Sequence, residues 1–500
     1  MHRVPHPRSC IARHQSPCPR GSAVPRGSHP ARTALLPVLP VAVVPGQSGE
    51  HRGHLRGHRR CSSCIPLHRA DCGRGDSRRT SRGRFEGPRV STAPLFDSPQ
   101  RARVRNRRSI LDVVHSNRGI TRTQLGSIIK LSKTSIKEIC DDLIAQGLLE
   151  EFQPRSAERQ QGRPALSLRV TTHHGVLLGI DIGADKVSAR SSTFAGDVLD
   201  SSEVRTRREK PDRAYLLGLV EQAVSAIRPT GRGTAEQFHT VVVSTPGVVD
   251  PQTNVVSLAP QIAGWDGLDL RAAVAECIGI DPTRVFVERQ TDLSVLAESI
   301  AGAAKGIDTV LYVHLGIGIG GGIIVRGELS RGASGAAGEL GYLPLSFGDE
   351  PPAGSRIGAW EWAAGGRAWA RHGRAAAMEP GGARLLELAD GDADSVDAEV
   401  IFRGVREGDT ASVDVFDRMA YRIAAGIAAA VCVINPERVL VAGGLSKGGE
   451  LLLDSLRDDL STLVPIMPDV QLATFGGDGG VVGALHKATA RAFDALNPLP

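Results

Sequence analysis

The chain has 500 residues, 41% of them apolar, a composition typical of a soluble globular protein with two to four domains. Its charge is uneven: residues 1–100 hold 17 arginines, no lysine and five acidic residues, a net charge of +12, so residues 101–500 carry −6 of the total of +6. No stretch approaches ~18 uninterrupted apolar residues, which excludes a membrane-spanning helix.

Residues 1–95 are expected to be a disordered Arg- and Pro-rich tail. One interpretation is a basic arm that touches nucleic acid. A second is a metal site at Cys61, Cys64 and Cys72, but no second pair of ligands with suitable spacing follows. The third, which we favour, is a start called too early, because arginine without lysine is what an upstream frame of a GC-rich gene yields.

Residues 101–170 predict a winged helix-turn-helix. A capping box of Thr121 and Gln124 opens the second of three helices, and Ser132 caps the third. Gly147 ends the third helix, and the alternating stretch after Leu148 predicts a two-stranded wing with a polar tip. The expected buried positions of the three helices are Ile110, Leu111, Val113, Val114, Leu125, Ile128, Ile129, Ile136, Ile139, Cys140, Leu143 and Ile144.

The start of the third helix is polar and basic. In helix-turn-helix proteins this position meets base edges in the major groove, where lysines neutralise phosphates and hydroxyls read bases. An arginine cluster from Arg101 to Arg108 suits the DNA backbone or the minor groove. The alternative is a three-helix bundle with a solvated polar face. The candidate DNA-binding residues are Arg105, Ser132, Lys133, Thr134, Ser135, Lys137 and Arg163.

Two glycine hairpins mark the rest of the chain. "VLLGIDIGADKVSARSS" and "LYVHLGIGIGGGIIVRG" each read as strand, glycine turn and strand, about 140 positions apart, which predicts a duplicated unit. Glycine turns let backbone N–H groups approach phosphate, although glycines also keep a hairpin foldable. The candidate nucleotide-loop residues are Asp181, Gly183, Gly316, Gly318 and Gly320.

Further segments follow in a recognisable order: "VVVSTPGVVD", "APQIAGWDGLDL", "VERQTDLSVLAE", "GELGY" and "NPERVLVAGGLSKGGELLL". Over about residues 101–490 this order resembles the ROK family of repressors, uncharacterised reading frames and sugar kinases, and its repressor branch in particular. The resemblance implies an α/β chain in which the winged helix-turn-helix precedes an actin-like (ribonuclease H-like) two-subdomain body at residues 174–497.

The family's catalytic junction is altered here. In its kinases the junction reads roughly Glu-Asn-Asp, and the Asp deprotonates the sugar hydroxyl. Here Glu288 is followed by Arg289 and Gln290, and glutamine cannot take a proton. Loss of a positioned base costs ~10²–10⁴ in rate. Asp185 also puts a negative charge where phosphate would sit. We therefore expect no enzyme activity and no bound ATP.

The family's zinc site is also altered. Tyr342 stands at the position of its histidine, and residues 351–361 contain no cysteine, so no tetrahedral zinc site is expected. Trp360 and Trp362 are expected to hold the segment by packing instead. The sequence therefore predicts neither a metal nor another cofactor.

The resemblance implies a sugar-type effector site. Glu339 and Glu361 match the family's acceptors of sugar hydroxyls, and Gln261 stands where an Asn is usual; Gln290 and Tyr342 are further candidates. Arg289 would add a forked cation that pairs with phosphate or carboxylate, which predicts an anionic effector. The alternative is that Arg289 bridges to Glu288 or Asp292 on the surface.

The sequence thus favours a DNA-binding transcription regulator, a repressor, whose body senses a sugar or phosphosugar without phosphorylating it. Its expected partners are operator DNA and that effector, with the chain as a homodimer or homotetramer and no membrane. An active sugar kinase with a DNA-binding appendage is the rival, and a repressor without an effector is a third possibility. Cys140, Cys277 and Cys432 lie in apolar contexts typical of reduced thiols, which favours a cytoplasmic protein.

Overall fold

The structure, a computed structural model, describes residues 99–153, 166–172, 175–183, 185–207, 211–227 and 238–496. The predictions for residues 1–95 and for Arg163 in the wing tip lie outside these residues. In the described segments, no helix combines the length and the apolar character needed to cross a bilayer.

The described part of residues 99–170 forms a helical module with a small antiparallel sheet. In the sheet, the last strand of the module lies between the other two. The elements are α1 (Pro99–Ser116), β1 (Ile120–Thr121), α2 (Arg122–Ile129), α3 (Lys133–Ala145), β2 (Leu149–Phe152) and β3 (Ser167–Val170).

Local signals in the sequence account for most of these boundaries. The capping box of Thr121 and Gln124 is present, and the Ser132 side chain accepts from the backbone N–H of Ser135. Gly147 turns the chain out of α3 with φ at +73°. The prediction that Ile128 is buried was wrong, since it is 53% exposed. At 3.6 residues per turn, Ile128 points roughly 60° away from the buried Leu125.

The first lobe of the body contains a five-stranded sheet in the order β10-β7-β4-β5-β6. β4 pairs antiparallel with β5 and parallel with β7, which in turn is parallel to β10. The elements are β4 (Val176–Ile182), β5 (Lys186–Thr193), β6 (Val198–Arg205), α4 (Arg213–Ala226), β7 (Phe238–Thr245), β8 (Val248–Val249), β9 (Val256–Ser257), α5 (Leu270–Ile278) and β10 (Val285–Arg289).

The second lobe repeats this plan. Its sheet has the order β13-β12-β11-β14-β15, with an antiparallel hairpin followed by parallel strands, so the predicted duplication is confirmed. The elements from α6 onwards are α6 (Gln290–Ala301), β11 (Val310–Leu315), β12 (Ile319–Val325), β13 (Glu328–Leu329), α7 (Ala359–Ala364), α8 (Gly366–Ala377), α9 (Ala383–Leu388), α10 (Ala398–Arg406), α11 (Thr410–Ile434), β14 (Arg438–Ala442), α12 (Glu450–Leu463), β15 (Asp469–Leu472) and α13 (Gly479–Ala495). The last of them, α13, returns to the first lobe and packs on its strands β4 and β7.

Two helices, α6 and α13, fix the junction between the lobes. A side chain at Gly483 of α13 would collide with the Leu293 carbonyl of α6, and one at Gly322 of β12 would collide with the Thr291 carbonyl. Glycine therefore lets α6 lie backbone to backbone against an element of each lobe. For this reason the first residues of α6, Gln290 and Thr291, lie where the two lobes meet, a region that we call the cleft.

The helical module and the body share one hydrophobic core. Ile110, Leu111 and Val114 of α1 are buried in a cluster that includes Phe493 of α13. Arg108 reinforces this contact, because its guanidinium donates to the Ala490 carbonyl at 2.8 Å. Spacing patterns within residues 101–170 did not reveal this packing, since they report only which face of a helix is buried.

His115, at the end of α1, makes this shared core sensitive to pH. Burial first, and then His486 and Arg118, lower its pKa to about 4, while Asp197 opposes the shift. The unfolded chain takes up a proton below about pH 6.5, and the folded chain does so only near pH 4. A lowered histidine pKa therefore removes stability as pH falls through this window, by at most ~1.4 kcal/mol per pH unit.

We expect His115→Gln to flatten the pH dependence of stability between pH 6.5 and pH 4. The free energy of unfolding of the wild type should fall more steeply than that of the variant, by about 0.5–1 kcal/mol per pH unit after allowance for partial exposure. Urea unfolding at pH 7.5, 6 and 5 measures both slopes. Subtracting one slope from the other removes the contribution of the other titrating groups. Parallel curves of unfolding free energy against pH would show that His115 titrates normally.

Candidate functional site

The junction of β10 and α6 lies at the carboxyl edge of the first-lobe sheet. Glu288 is paired in register with Ser244, and Ser244 with Asp181, so three parallel strands bring these side chains to one level. Ligands of open α/β sheets bind outside such carboxyl ends. The predicted strand-to-helix junction is confirmed, and it lies where the two lobes meet.

Gln290 does not point into open space but caps a buried carboxylate. Its Nε2 donates to both oxygens of Asp181, at 3.0 and 3.2 Å, and the Ser244 hydroxyl donates to the same group. Burial raises the pKa of Asp181 to about 6, although these two hydrogen bonds oppose the shift. The amide at the position where the family resemblance implies a catalytic base is therefore a structural donor in this conformation.

Close packing explains two glycines of the second hairpin, Gly316 and Gly318. None of Gly183, Gly316, Gly318 and Gly320 has a positive φ, so a turn conformation does not require them. A side chain at Gly318 would meet the Glu361 carboxylate at 2.6 Å, and one at Gly316 would meet the His314 ring at 2.9 Å. Their presence is accounted for without a bound phosphate.

A carboxylate of the protein itself, that of Asp478, pairs with the two cations of the first hairpin. Asp478, just before α13, accepts from Lys186 at 3.0 Å and from Arg190 at 3.1 Å. Burial opposes its ionisation, but these two cations outweigh burial and keep the pKa of Asp478 below its usual range. Sequence reasoning missed this residue, although its setting in "GGDGG" was a signal of a tight approach.

Arg289 is buried, and the structure opposes its predicted role as a receptor for an anionic effector. It is 4% exposed, pairs with Asp292 at 2.6 Å and with Glu339 at 3.0 Å, and donates to the Gly321 carbonyl at 3.1 Å. The alternative prediction of a bridge to Asp292 is correct in its partner, but the bridge is internal rather than on the surface. A buried charge must be paired, and this one already is.

A second arginine extends this network. Arg331 pairs with Glu288 at 2.6 Å and with Asp292 at 3.3 Å, so it joins β10 and α6 to the segment that follows β13. Arg331 was not a predicted site residue. Within the described chain, the residues at this point of the cleft thus alternate in charge and pair with one another, although the buried Nε–H of Arg289 has no hydrogen-bond partner among them.

Glu339 and Glu361 remain close to the cleft as half-buried carboxylates. Burial raises the pKa of both, with Arg289 opposing the shift at Glu339 and the Ile319 N–H opposing it at Glu361. Glu361 accepts from that N–H at 3.1 Å. The Glu339 carboxylate also raises the pKa of Glu361, which places the two near each other.

Gln261 and Tyr342 lie on opposite sides of the cleft. Gln261 is half-buried in the first-lobe loop before α5, and Tyr342 is 41% exposed with its hydroxyl donating to the Arg356 carbonyl at 2.6 Å. The two loops meet through an ion pair between Arg356 and Asp266. This ion pair brings the first-lobe loop that carries Gln261 close to the segment that follows Tyr342.

The donors near Tyr342 do not fit zinc. Tyr342 is committed to a backbone carbonyl, and residues 351–361 supply neither cysteine nor histidine. The described residues include no group of three or more His, Cys, Asp or Glu side chains arranged around a common point. Zinc needs thiolate, imidazole or carboxylate ligands in a tetrahedral arrangement, and the described residues near Tyr342 do not provide one.

The predicted DNA-binding residues separate into two groups. Lys133, Thr134 and Lys137 are exposed at the start of α3, with Lys137 3.4 Å from Asp141. Ser132 and Ser135 are used locally, since their hydroxyls bond to each other at 2.9 Å as part of the helix cap. The structure therefore leaves two lysines and one threonine hydroxyl facing outward.

The arginine cluster of α1 divides into two parts, which corrects its prediction as a DNA-contacting group for Arg107 and Arg108 only: these two bind other helices, whereas Arg101, Arg103 and Arg105 are exposed. Arg107 is 6% exposed, pairs with Asp142 and donates to Gln146 at 2.6 Å. Arg103 reaches the same Asp142 at 3.3 Å, and Arg108 binds α13. Arg105 lies exposed on α1. Periodicity alone could not separate arginines that hold helices together from those that face solvent.

Comparisons with known proteins agree with this architecture. A family model described as the ROK family matches residues 177–491. The chain is 26% identical to a xylose repressor of Caldicellulosiruptor bescii over 71% of this chain and 86% of the repressor, and 31% identical to a glucokinase of Streptomyces coelicolor over 63% and 98%. A solved ROK family transcriptional regulator, a homologue of the E. coli MLC protein, covers 79% of this chain and 98% of its own at 22% identity and a TM-score of 0.63, which shows the shared fold.

Proposed function

The chain belongs to the ROK family, and from that premise we propose that it is a DNA-binding transcription regulator, a repressor that senses a sugar without phosphorylating it. Glucokinase similarity covers 63% of the chain, whereas the fold shared with a regulator covers 79%. The larger share is consistent with the helical module that precedes the body. Both kinds of relative therefore share the body, and the module favours the regulator.

The module supports DNA binding through the start of α3. Lys133 is the first residue of the helix, where the helix dipole repels a cation by about 0.3–1 kcal/mol. A lysine there is not explained by helix stability, but it suits contact with a phosphate. We propose that α3 enters the major groove, that β2 and β3 form the wing, and that a homodimer or homotetramer binds paired half-sites.

Gln290 is the observation that carries the regulatory role over the catalytic one. A sugar hydroxyl needs a base, and an amide has no proton affinity for that task. The Gln290 amide also donates a hydrogen bond to Asp181, and Asp478 already pairs with the cations of the first hairpin. The base is thus absent at this position, and a nucleotide would have to compete with Asp478 for Lys186 and Arg190.

We propose a neutral sugar as the effector, in place of the anionic one predicted from the sequence. The charge of Arg289 is matched by Asp292 and Glu339, so little positive potential is left for a phosphate. Glu339, Glu361 and Gln261 offer acceptors for vicinal hydroxyls. Binding must favour one conformer of the chain to change DNA affinity.

A direct test combines DNA selection with sugar titration. Duplexes enriched from random-sequence DNA by the full chain should bind tightly at physiological salt, and D-xylose or D-glucose should shift that affinity by about 5–150-fold. Absence of any enriched sequence would remove the DNA-binding role. Tight DNA binding that neither sugar changes would favour a repressor without an effector of this class.

The rival function, an active sugar kinase, predicts ATP turnover. We expect D-glucose- or D-xylose-dependent turnover in a coupled assay to lie at least ~10²-fold below that of the Streptomyces coelicolor glucokinase assayed in parallel. Gln290→Asp alone should not restore activity, because Asp478 still holds Lys186 and Arg190. Turnover comparable to the glucokinase would establish the rival.

A further inference from the structure

The segment 343–358 carries an acidic residue that is bound from three sides. Asp349 accepts from Arg371 at 2.9 Å and from Arg422 at 3.2 Å, and His372 lies 3.4 Å away. Burial opposes ionisation of Asp349, but the two arginines outweigh it and hold its pKa below the usual range. We name these four residues the Asp349 clamp.

Arg422 anchors the clamp in the second-lobe core. It is 7% exposed on α11 and donates to the Ala363 carbonyl at 3.1 Å as well as to Asp349. Its other nitrogen reaches the Phe347 carbonyl at 3.4 Å, and its guanidinium lies 5.3 Å from the Phe347 ring centre. One arginine therefore ties the segment to the end of α7.

Arg371 and His372 complete the clamp from α8. Arg371 donates to the Trp362 carbonyl at 3.0 Å and stacks 4.2 Å from the centre of its ring. Burial first, and then Arg422 and Arg371, lower the pKa of His372. A neutral His372 accepts from Arg422 at 3.1 Å, which is shorter than its approach to Asp349.

The clamp reaches the candidate sugar site through α7. Trp360 donates to the Arg422 carbonyl at 2.9 Å and packs so closely on Gly426 that any side chain there would collide with its ring. Glu361 lies between Trp360 and Trp362, and its carboxylate holds the Ile319 N–H. Both tryptophans that flank this carboxylate are thus fixed by members of the clamp.

The charge of the clamp does not suit the zinc ion that the family resemblance implies. Asp349 lies 2.9 Å from Arg371 and 3.2 Å from Arg422, and His372 lies 3.1 Å from Arg422, so guanidinium groups that repel a dication surround both donors. We propose that Asp349, Arg371 and Arg422 are positioning residues that do by ion pairing what zinc does in the family's kinases, fixing segment 343–358 and so the orientation of Glu361. The last step, an effect on sugar affinity, rests on the proposed function.

Hydrogen exchange of the full chain tests the clamp. Asp349→Asn should raise exchange of the amides in segment 343–358 at least ~10-fold, and Asp349→Glu should restore part of the protection. EDTA and 1,10-phenanthroline should leave the wild type unchanged. Unaltered exchange in Asp349→Asn, or wild-type exchange that rises with either chelator, would overturn the proposal.

Calorimetry with D-glucose and D-xylose tests the consequence for the site. Asp349→Asn should weaken the affinity for the sugar that binds by at least ~5-fold, with partial recovery in Asp349→Glu. The matched control is Asp469→Asn, which breaks an ion pair with Arg438 on β14 and should leave both exchange and affinity unchanged. If the wild type binds neither sugar, the proposed effector class fails, and exchange alone decides the clamp.

Discussion

Replacing Lys133 and Lys137 together with alanine will weaken binding to a selected DNA duplex by about 100-fold at physiological salt. Each lysine is exposed at the start of α3, and a phosphate contact of this kind contributes roughly 1.4 kcal/mol, or tenfold in affinity. Each lost contact also lowers the slope of log affinity against log salt by ~0.9, so the double variant should lose about two units. Fluorescence anisotropy between 50 and 300 mM salt measures both quantities.

The matched control is Lys447→Ala. Lys447 is 70% exposed and paired with Glu399, and Lys137 is 75% exposed and lies beside Asp141, so the two lysines have similar surroundings. Lys447 lies in the second lobe, away from the helical module, and its loss should change neither affinity nor slope. An unchanged salt slope in the double variant would remove α3 from the DNA interface, whatever the affinity.

Arg289→Met will lower the free energy of unfolding by about 3–5 kcal/mol, because it leaves a buried carboxylate without its main partner. Asp292 is 1% exposed, and only Arg331 at 3.3 Å would still reach it. Burial already raises the pKa of Asp292 while Arg289 opposes that shift, so the variant should raise it further. A carboxyl whose folded pKa is raised costs stability as pH rises, and the deficit should therefore be larger at pH 8 than at pH 5.

Two further variants locate the origin of this loss in urea unfolding. Arg331→Met removes a cation that is 34% exposed and should cost about 1 kcal/mol. Asp292→Asn added to Arg289→Met should recover part of the stability, since the uncompensated charge is gone. If Arg289→Met is as stable as the wild type, the ion pairs of Arg289 contribute little net stability, and their role in excluding an anionic effector is no longer supported.

Much of the local structure could be predicted from the sequence. The capping residues Thr121 and Ser132, the two hairpins and the break between Arg289 and Gln290 depend on backbone preferences within a few residues, which the sequence carries directly. The order of motifs implied the body fold. The loss of a base at Gln290 could be predicted from the residue type alone, because an amide does not act as a proton acceptor in catalysis.

The tertiary structure alone decided what the charged residues contact. Arg107 and Arg289 were predicted to face DNA and ligand, and both are buried in ion pairs with Asp142 and Asp292. A sequence gives a residue's charge but not its distance to carboxylates on other elements. Only that distance determines whether the charge is paired inside the protein. The same holds for Asp349 and Asp478, whose partners lie on helices or strands remote in the chain.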